Sequence, residues 1–224
     1  GGLIVNNGLI PKNRTLLFSN SLQNNGNYLS TIKYSFSNDF QLNLLSFGNS
    51  KGIDLKDNQI KNNIINTYLN DNNIFYRVGG KLNIFNQSRG DYIFSTLNIS
   101  MGRELNNSNS QGYGFLELAN TRLFGNKIAT NLSPKFTWNN VAISSSLGIS
   151  SNFALSNSIE FIPEFNLSTS SNSENNYAFV LRKKISKTKT IDLFITNAAG
   201  LSEIGQMFKS NQNSYGLKFT IKLD

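Results

Sequence analysis

Glu160 and Glu164 are the closest approach in this sequence to a catalytic carboxylate pair. Four residues apart on a strand, they share a face but stand ~13 Å from each other. Paired glycosidase carboxylates must lie closer than that. The 224 residues include no His and no Cys. Imidazole triads and dyads, thiol nucleophiles and Cys/His zinc sites therefore have no residues to build them. Gly79-Gly80 precedes no helix start, so it reads as a bend in a strand and not as a phosphate loop. The sequence predicts a non-enzyme with no cofactor and no metal.

The remaining chemistry is that of fixed charge. Lys and Arg number 21 against 13 Asp and Glu, a net charge of +8. Lys33, Arg77, Lys81, Lys127 and Lys135 fall on the polar side of alternating segments with few acids nearby, so they are expected to form a basic stripe. In a pore, such a stripe lowers the barrier for anions. A second group, Glu160, Glu164, Arg182, Asp192 and Lys218, mixes signs on neighbouring segments. It is expected to be an ion-pair network that braces the wall. The cations are dispersed and lie opposite the aromatics, a poor geometry for base stacking beside phosphate contacts. No nucleic-acid partner is predicted.

Strands must position these charges, because the pattern has period two almost throughout. In 214–223, Tyr215, Leu217, Phe219, Ile221 and Leu223 alternate with Gly216, Lys218, Thr220 and Lys222. Segments 27–37, 73–85, 126–138, 141–153 and 157–168 behave alike. Weaker candidates at 13–22, 39–48, 91–102, 111–123, 175–184 and 189–197 bring the total to twelve. Segment 111–123 is ambiguous, since Glu117 and Arg122 fall on opposite faces. Pro134 and Pro163 cannot donate to a ladder, so each predicts a bulge or a local break.

Alternation does not say which face is inside, and a soluble sandwich shares it. Three features favour the membrane. The strands run longer than the ~5–6 residues usual in soluble proteins and match the ~9–11 needed to cross hydrocarbon. The polar faces are Ser, Thr, Asn and Gly with sparse charge, and charged residues make up only 15% of the chain. Long, polar connections alternate with short ones, apart from a two-residue Asn139-Asn140 hairpin, as surface loops alternate with periplasmic turns. The expected fold is an all-β, antiparallel, up-and-down transmembrane barrel of about 12 strands over residues 13–224. Residues 1–12 are an N-terminal segment or linker, and both termini are expected on the periplasmic side. Tyr28, Trp138, Phe161, Tyr177 and Tyr215 sit near strand ends, where aromatics form interfacial girdles or pack within the sheet. No leader precedes Gly1-Gly2-Leu3-Ile4-Val5, so secretion implies a removed signal or a longer chain.

Twelve strands enclose more space than ordinary side chains fill, so water or an inserted segment must occupy it. Two connections are candidates. Within 49–72, Ile60, Ile64 and Tyr68 recur at four-residue spacing, which fits a short amphipathic helix folded into the pore or lying on the surface, and the stretch suits a disordered loop equally. Within 198–213, Leu201, Ile204, Met207 and Phe208 are apolar and need burial in the lumen mouth, against a partner or in lipid.

The tail carries Thr196, Asn197 and Ala198, then Gly200, Ile204, Gly205 and Gln206, before a final amphipathic strand. It resembles the C-terminal region of cyanobacterial outer-membrane (porin-like) barrel proteins. The preceding LSNSIEFIPEFNLS, with Glu164 facing inward, is similar too. The resemblance covers roughly the last third and implies fold and location. Such chains typically end on an aromatic, whereas this one ends Lys222-Leu223-Asp224.

Three functions remain open. The first is an outer-membrane channel for passive diffusion of small solutes, preferring anions, with outer-membrane lipid and solutes as its partners. The second is a plugged, non-conducting barrel serving as an anchor or surface-binding scaffold. The third is a soluble β-sandwich binding module. No feature of the sequence sets an oligomeric state.

Overall fold

A computed structural model describes residues 2–49, 74–104, 112–138, 143–169, 175–201, 203 and 205–224. The helix expected within 49–72, the Asn139-Asn140 hairpin and Ile204 fall outside the described residues.

The first six strands are β1 (Leu16–Gln23), β2 (Tyr28–Ser35), β3 (Phe40–Asn49), β4 (Ile74–Phe85), β5 (Phe94–Glu104) and β6 (Tyr113–Phe124). The last six are β7 (Ile128–Trp138), β8 (Ile143–Ala154), β9 (Ile159–Ser168), β10 (Asn176–Lys184), β11 (Lys189–Ala198) and β12 (Lys209–Leu223). Each strand pairs antiparallel with its neighbours in sequence, and β1 pairs with β12 to close the barrel. A single closed sheet replaces the two packed sheets of the soluble sandwich alternative. Closure leaves no unpaired edge, the condition for a sheet to cross lipid.

The apolar rows point outward. Leu82, Leu132, Phe136, Phe165, Leu181, Leu193 and Leu217 are all exposed on the outer surface. Their strand neighbours Thr31, Ser35, Ser133, Lys135, Asn166 and Asp192 are buried inside. Tyr28, Trp138, Tyr177 and Tyr215 gather near the rim that carries the longer connections. Phe36, Phe40, Tyr92 and Phe124 lie at the opposite rim, where Phe36 stacks on Phe40. Phe161 belongs with this second group, near the start of β9.

Each internal proline produces a break and no bulge. Opposite Pro134 the β6–β7 pairs skip from Glu117↔Lys135 to Asn120↔Leu132, and the register is unchanged. Opposite Pro163 the β8–β9 pairs skip from Ser150↔Glu164 to Phe153↔Phe161, again in register. The bulges lie elsewhere, for example around Leu44, where Ile32↔Leu45 is followed by Lys33↔Asn43. The ambiguity of 111–123 resolves simply. Glu117 points into the lumen, while Arg122 points out and covers the Phe124 ring, 5.2 Å from its centroid.

Candidate functional site

The lumen is occupied by two pieces of the chain itself. Residues 2–9 run through it, and the connection between β11 and β12, which includes a 3-10 turn at Gly205–Met207, folds down onto them. Leu3, Ile4 and Val5 pack against Ile162, Ala178, Val180, Phe194 and Ala198 of the wall and Leu201 of that connection. Burying such side chains stabilises by roughly 1.5–3 kcal/mol each. Met207 and Phe208 are buried as well. The burial that their apolar character demanded is therefore found inside the barrel.

Polar groups of the wall meet the main chain of the inserted segment. The N–H groups of Leu3 and Ile4 donate to Glu164 Oε2 at 2.8 and 2.7 Å. The Lys135 ammonium donates to the Ile4 carbonyl. Ser133 Oγ donates to Asn6 O at 3.1 Å. Gly8 N–H donates to Thr121 Oγ1 at 2.7 Å. Lys81 Nζ donates to both Asn7 O and Leu9 O at 2.7 Å. A Cβ at Gly8 would sit 2.4 Å from Phe94 O and 2.7 Å from Ala119 O, so this position admits no side chain. The segment leaves the lumen through Lys12 and turns at Arg14, whose φ of 62° is left-handed, into β1.

The sites expected from sequence are divided by this insertion. Lys33, Arg77, Lys81 and Lys135 all lie on the inner face, but Arg77 and Lys135 are not free of acids. Arg77 pairs with Glu203 at 3.1 Å, and Ser100 Oγ donates to the same carboxylate at 2.6 Å. Lys135 Nζ lies 4.0 Å from Glu117. Glu117 in turn accepts from Asn6 and Asn98, each at 2.7 Å. Lys127 stands apart from the others. It is exposed in the turn before β7, beyond the strand end, so it does not line the lumen wall.

In the mixed-charge group, Arg182 grips Asp192 with two bonds of 2.8 Å and lies 3.8 Å from Glu160, which also meets Lys184. Glu164 is not joined to them by an ion pair among the described residues, because its partners are main-chain N–H groups of residues 3 and 4. Lys218 faces Asp192 in the β11–β12 register, with its Nζ 3.5 Å from Gly2 O. The inserted segment and Glu203 are the parts that sequence reasoning missed.

Beside the segment a cavity of about 610 Å³ remains, lined by β1–β4, β10–β12 and residues 2–12. Lys33, Lys81, Arg182, Lys187, Lys218 and Lys222 face it, with Lys12 near the rim, and no Asp or Glu is among its described lining residues. Thr31, Ser19, Thr220 and Thr190 form one cross-strand row along its wall. A narrower space of about 50 Å³ shares Asn6, Lys33, Gln41 and Lys81 with it and continues to Ser100 and Glu203. Of these cations Arg182 is ion-paired with Asp192 and Lys222 with Asp224, so the cavity's net positive charge rests on Lys12, Lys33, Lys81, Lys187 and Lys218.

The fold and this lumen define the class: a closed twelve-strand antiparallel β-barrel with an inserted N-terminal segment. No protein-family model matches the chain, and no characterised protein matches it in sequence. Solved structures do. The KdgM porin in complex with disordered oligogalacturonate superposes with a TM-score of 0.63 over 94% of this chain and 99% of its own, at 10% identity. An outer-membrane channel from Pseudomonas putida F1 gives 0.53 over 96% and 97%, also at 10% identity. The Acinetobacter baumannii outer membrane protein Omp33 gives 0.52 over 93% and 97%, at 9% identity. At such identities the likeness is one of fold. The fold is that of bacterial outer-membrane β-barrels.

Proposed function

We propose that the protein is a narrow outer-membrane channel for passive diffusion of small solutes, with a preference for anions. The observation that carries this is the cavity beside the inserted segment, with seven cationic and no acidic side chains in its described lining. Fixed positive charge around a water-filled passage raises the local concentration of anions. The KdgM porin holds oligogalacturonate in its solved complex; an anionic solute here is a parallel that Lys33, Lys187 and Lys218 support by charge. In this reading the rim with the short turns, where residues 10–15 and 223–224 lie, is periplasmic. The lumen performs no bond chemistry. The cyanobacterial likeness of the tail belongs to the same proposal, and its residues Gly200, Gly205 and Gln206 are those that fold the β11–β12 connection inward.

The test is the reversal potential of the purified barrel in a planar bilayer under a tenfold KCl gradient. The expected sign is that of chloride preference, moving toward potassium in Lys33→Glu/Lys218→Glu. Conductance with potassium preference in the unaltered protein contradicts the proposal.

A second reading, a closed barrel acting as an anchor, is favoured by the density of bonds between residues 2–9 and the wall. It expects no conductance under the same conditions.

A further inference from the structure

The barrel ladder is complete without residues 2–9. All twelve strands pair in a ring, and β1 closes on β12 with no contribution from the inserted segment. The segment is held by side chains that address its main chain. Glu164 takes two N–H groups, Thr121 takes one, and Lys81, Lys135 and Ser133 give protons to carbonyls. The segment is bent and not extended: Gly2 N–H donates to Val5 O at 3.0 Å, and the N–H groups of Leu3 and Ile4 converge on one oxygen of Glu164. The wall receives it as a folded peptide, with main-chain bonds for affinity and pockets for a few side chains. The side-chain terms here are the apolar cluster around Leu3, Ile4 and Val5 and the closed space at Gly8. Gly2, Asn6, Asn7 and Leu9 also form one bank of the open cavity, so departure of the segment widens the passage.

We propose that the inner wall of β4–β11, with the β11–β12 connection, is a binding site for a bent peptide of the pattern glycine, three aliphatic residues, two polar residues, glycine. Residues 2–9 are its tethered and exchangeable occupant. This goes beyond the channel reading and does not need it, because binding is measured without current.

The test begins with Gly8→Ala, whose methyl group meets backbone oxygens and unseats the segment. A dye-labelled synthetic peptide with the sequence of residues 2–9 is added to refolded barrel in detergent, and its anisotropy is followed. The Gly8→Ala barrel is expected to bind it at least tenfold more tightly than the unaltered protein, whose site is filled. The same peptide carrying alanine for its final glycine is expected not to bind. Equal binding to both barrels, or none to a folded Gly8→Ala barrel, overturns the proposal.

Should Gly8→Ala fail to fold, Ile4→Asn replaces it, because it puts an amide into the apolar cluster of Leu3, Ile4 and Val5 and unseats the segment while the wall keeps every residue. The Ile4→Asn barrel is expected to bind the peptide at least tenfold more tightly than the unaltered protein and to conduct at least twofold more. No gain in peptide binding overturns the proposal. Peptide binding without conductance in either barrel sinks the channel reading alone.

Discussion

Gln206 and Leu3 are joined in the middle of the barrel although 203 positions separate them: the Gln206 amide nitrogen donates to the Leu3 carbonyl at 3.1 Å. The same nitrogen donates to Leu201 O at 3.0 Å, and the Gln206 carbonyl accepts from Asn176 at 2.9 Å and from Asn166. One residue thus clips the inserted segment, the inserted connection and the wall together.

Gln206→Ala removes the two side-chain donations and leaves the ladder intact. Losing them costs about 1–2 kcal/mol. The effect is local: amide exchange at Leu3 and Ile4 speeds up severalfold, while the unboiled barrel keeps its compact mobility on a gel. Unchanged exchange at both amides contradicts the role given to Gln206.

Arg182→Gln leaves the Asp192 carboxylate, whose side chain is only 2% exposed, without its two bonds. Breaking a buried pair on one side costs roughly 3–5 kcal/mol. The lower end applies, because the Arg182 side chain keeps 15% exposure to the lumen. Denaturant unfolding of the barrel in detergent measures it. A change below about 0.5 kcal/mol, the scale of an exposed pair, shows that the network is not structural.

Asp39, in the turn between β2 and β3, accepts from Arg89 at 2.8 Å and from Asn83 at 2.9 Å. The Arg89 bond comes first in holding its carboxyl below the usual aspartate value, with Asn83 next. A carboxyl lowered in the folded state stabilises above its unfolded pKa, about 3.9, and loses that contribution as pH falls through the lower folded value. The difference in thermal stability between the unaltered protein and Asp39→Asn is expected to stay flat from pH 8 to about 5 and to shrink only below about 4. Shrinkage beginning near pH 6 contradicts this rim latch.

The strands were legible because period two is imposed on any chain with lipid on one side and water or polar chain on the other. Leu217 and Lys218, or Phe136 and Lys135, announce their sides by type alone. The breaks at Pro134 and Pro163 were legible from the missing N–H. Burial of Leu201, Met207 and Phe208 was legible from composition, though its location was not. Leu3-Ile4-Val5 gave no such signal, since three apolar residues without periodicity suit a linker as well as an insertion. A clue lay in β6 and β10, where Phe115 and Val180 are apolar on the inner face. Inner apolar positions need an apolar partner, and the inserted segment provides it beside Val180. The free basic stripe failed for Arg77 because its acid, Glu203, arrives from a distant connection. Lys127 had the right parity, but its strand had not yet begun.

Everything rests on the outward rows meeting hydrocarbon, and the chain carries one tryptophan to report on it. Trp138 ends β7 on the outer surface, 43% exposed, with its ring over Gly114. The decisive measurement is quenching of its fluorescence in reconstituted vesicles, by bromine-labelled acyl chains against dissolved iodide. The structure predicts strong quenching by the brominated lipid and little by iodide. Quenching by iodide alone would place that row in water and contradict a membrane-spanning barrel.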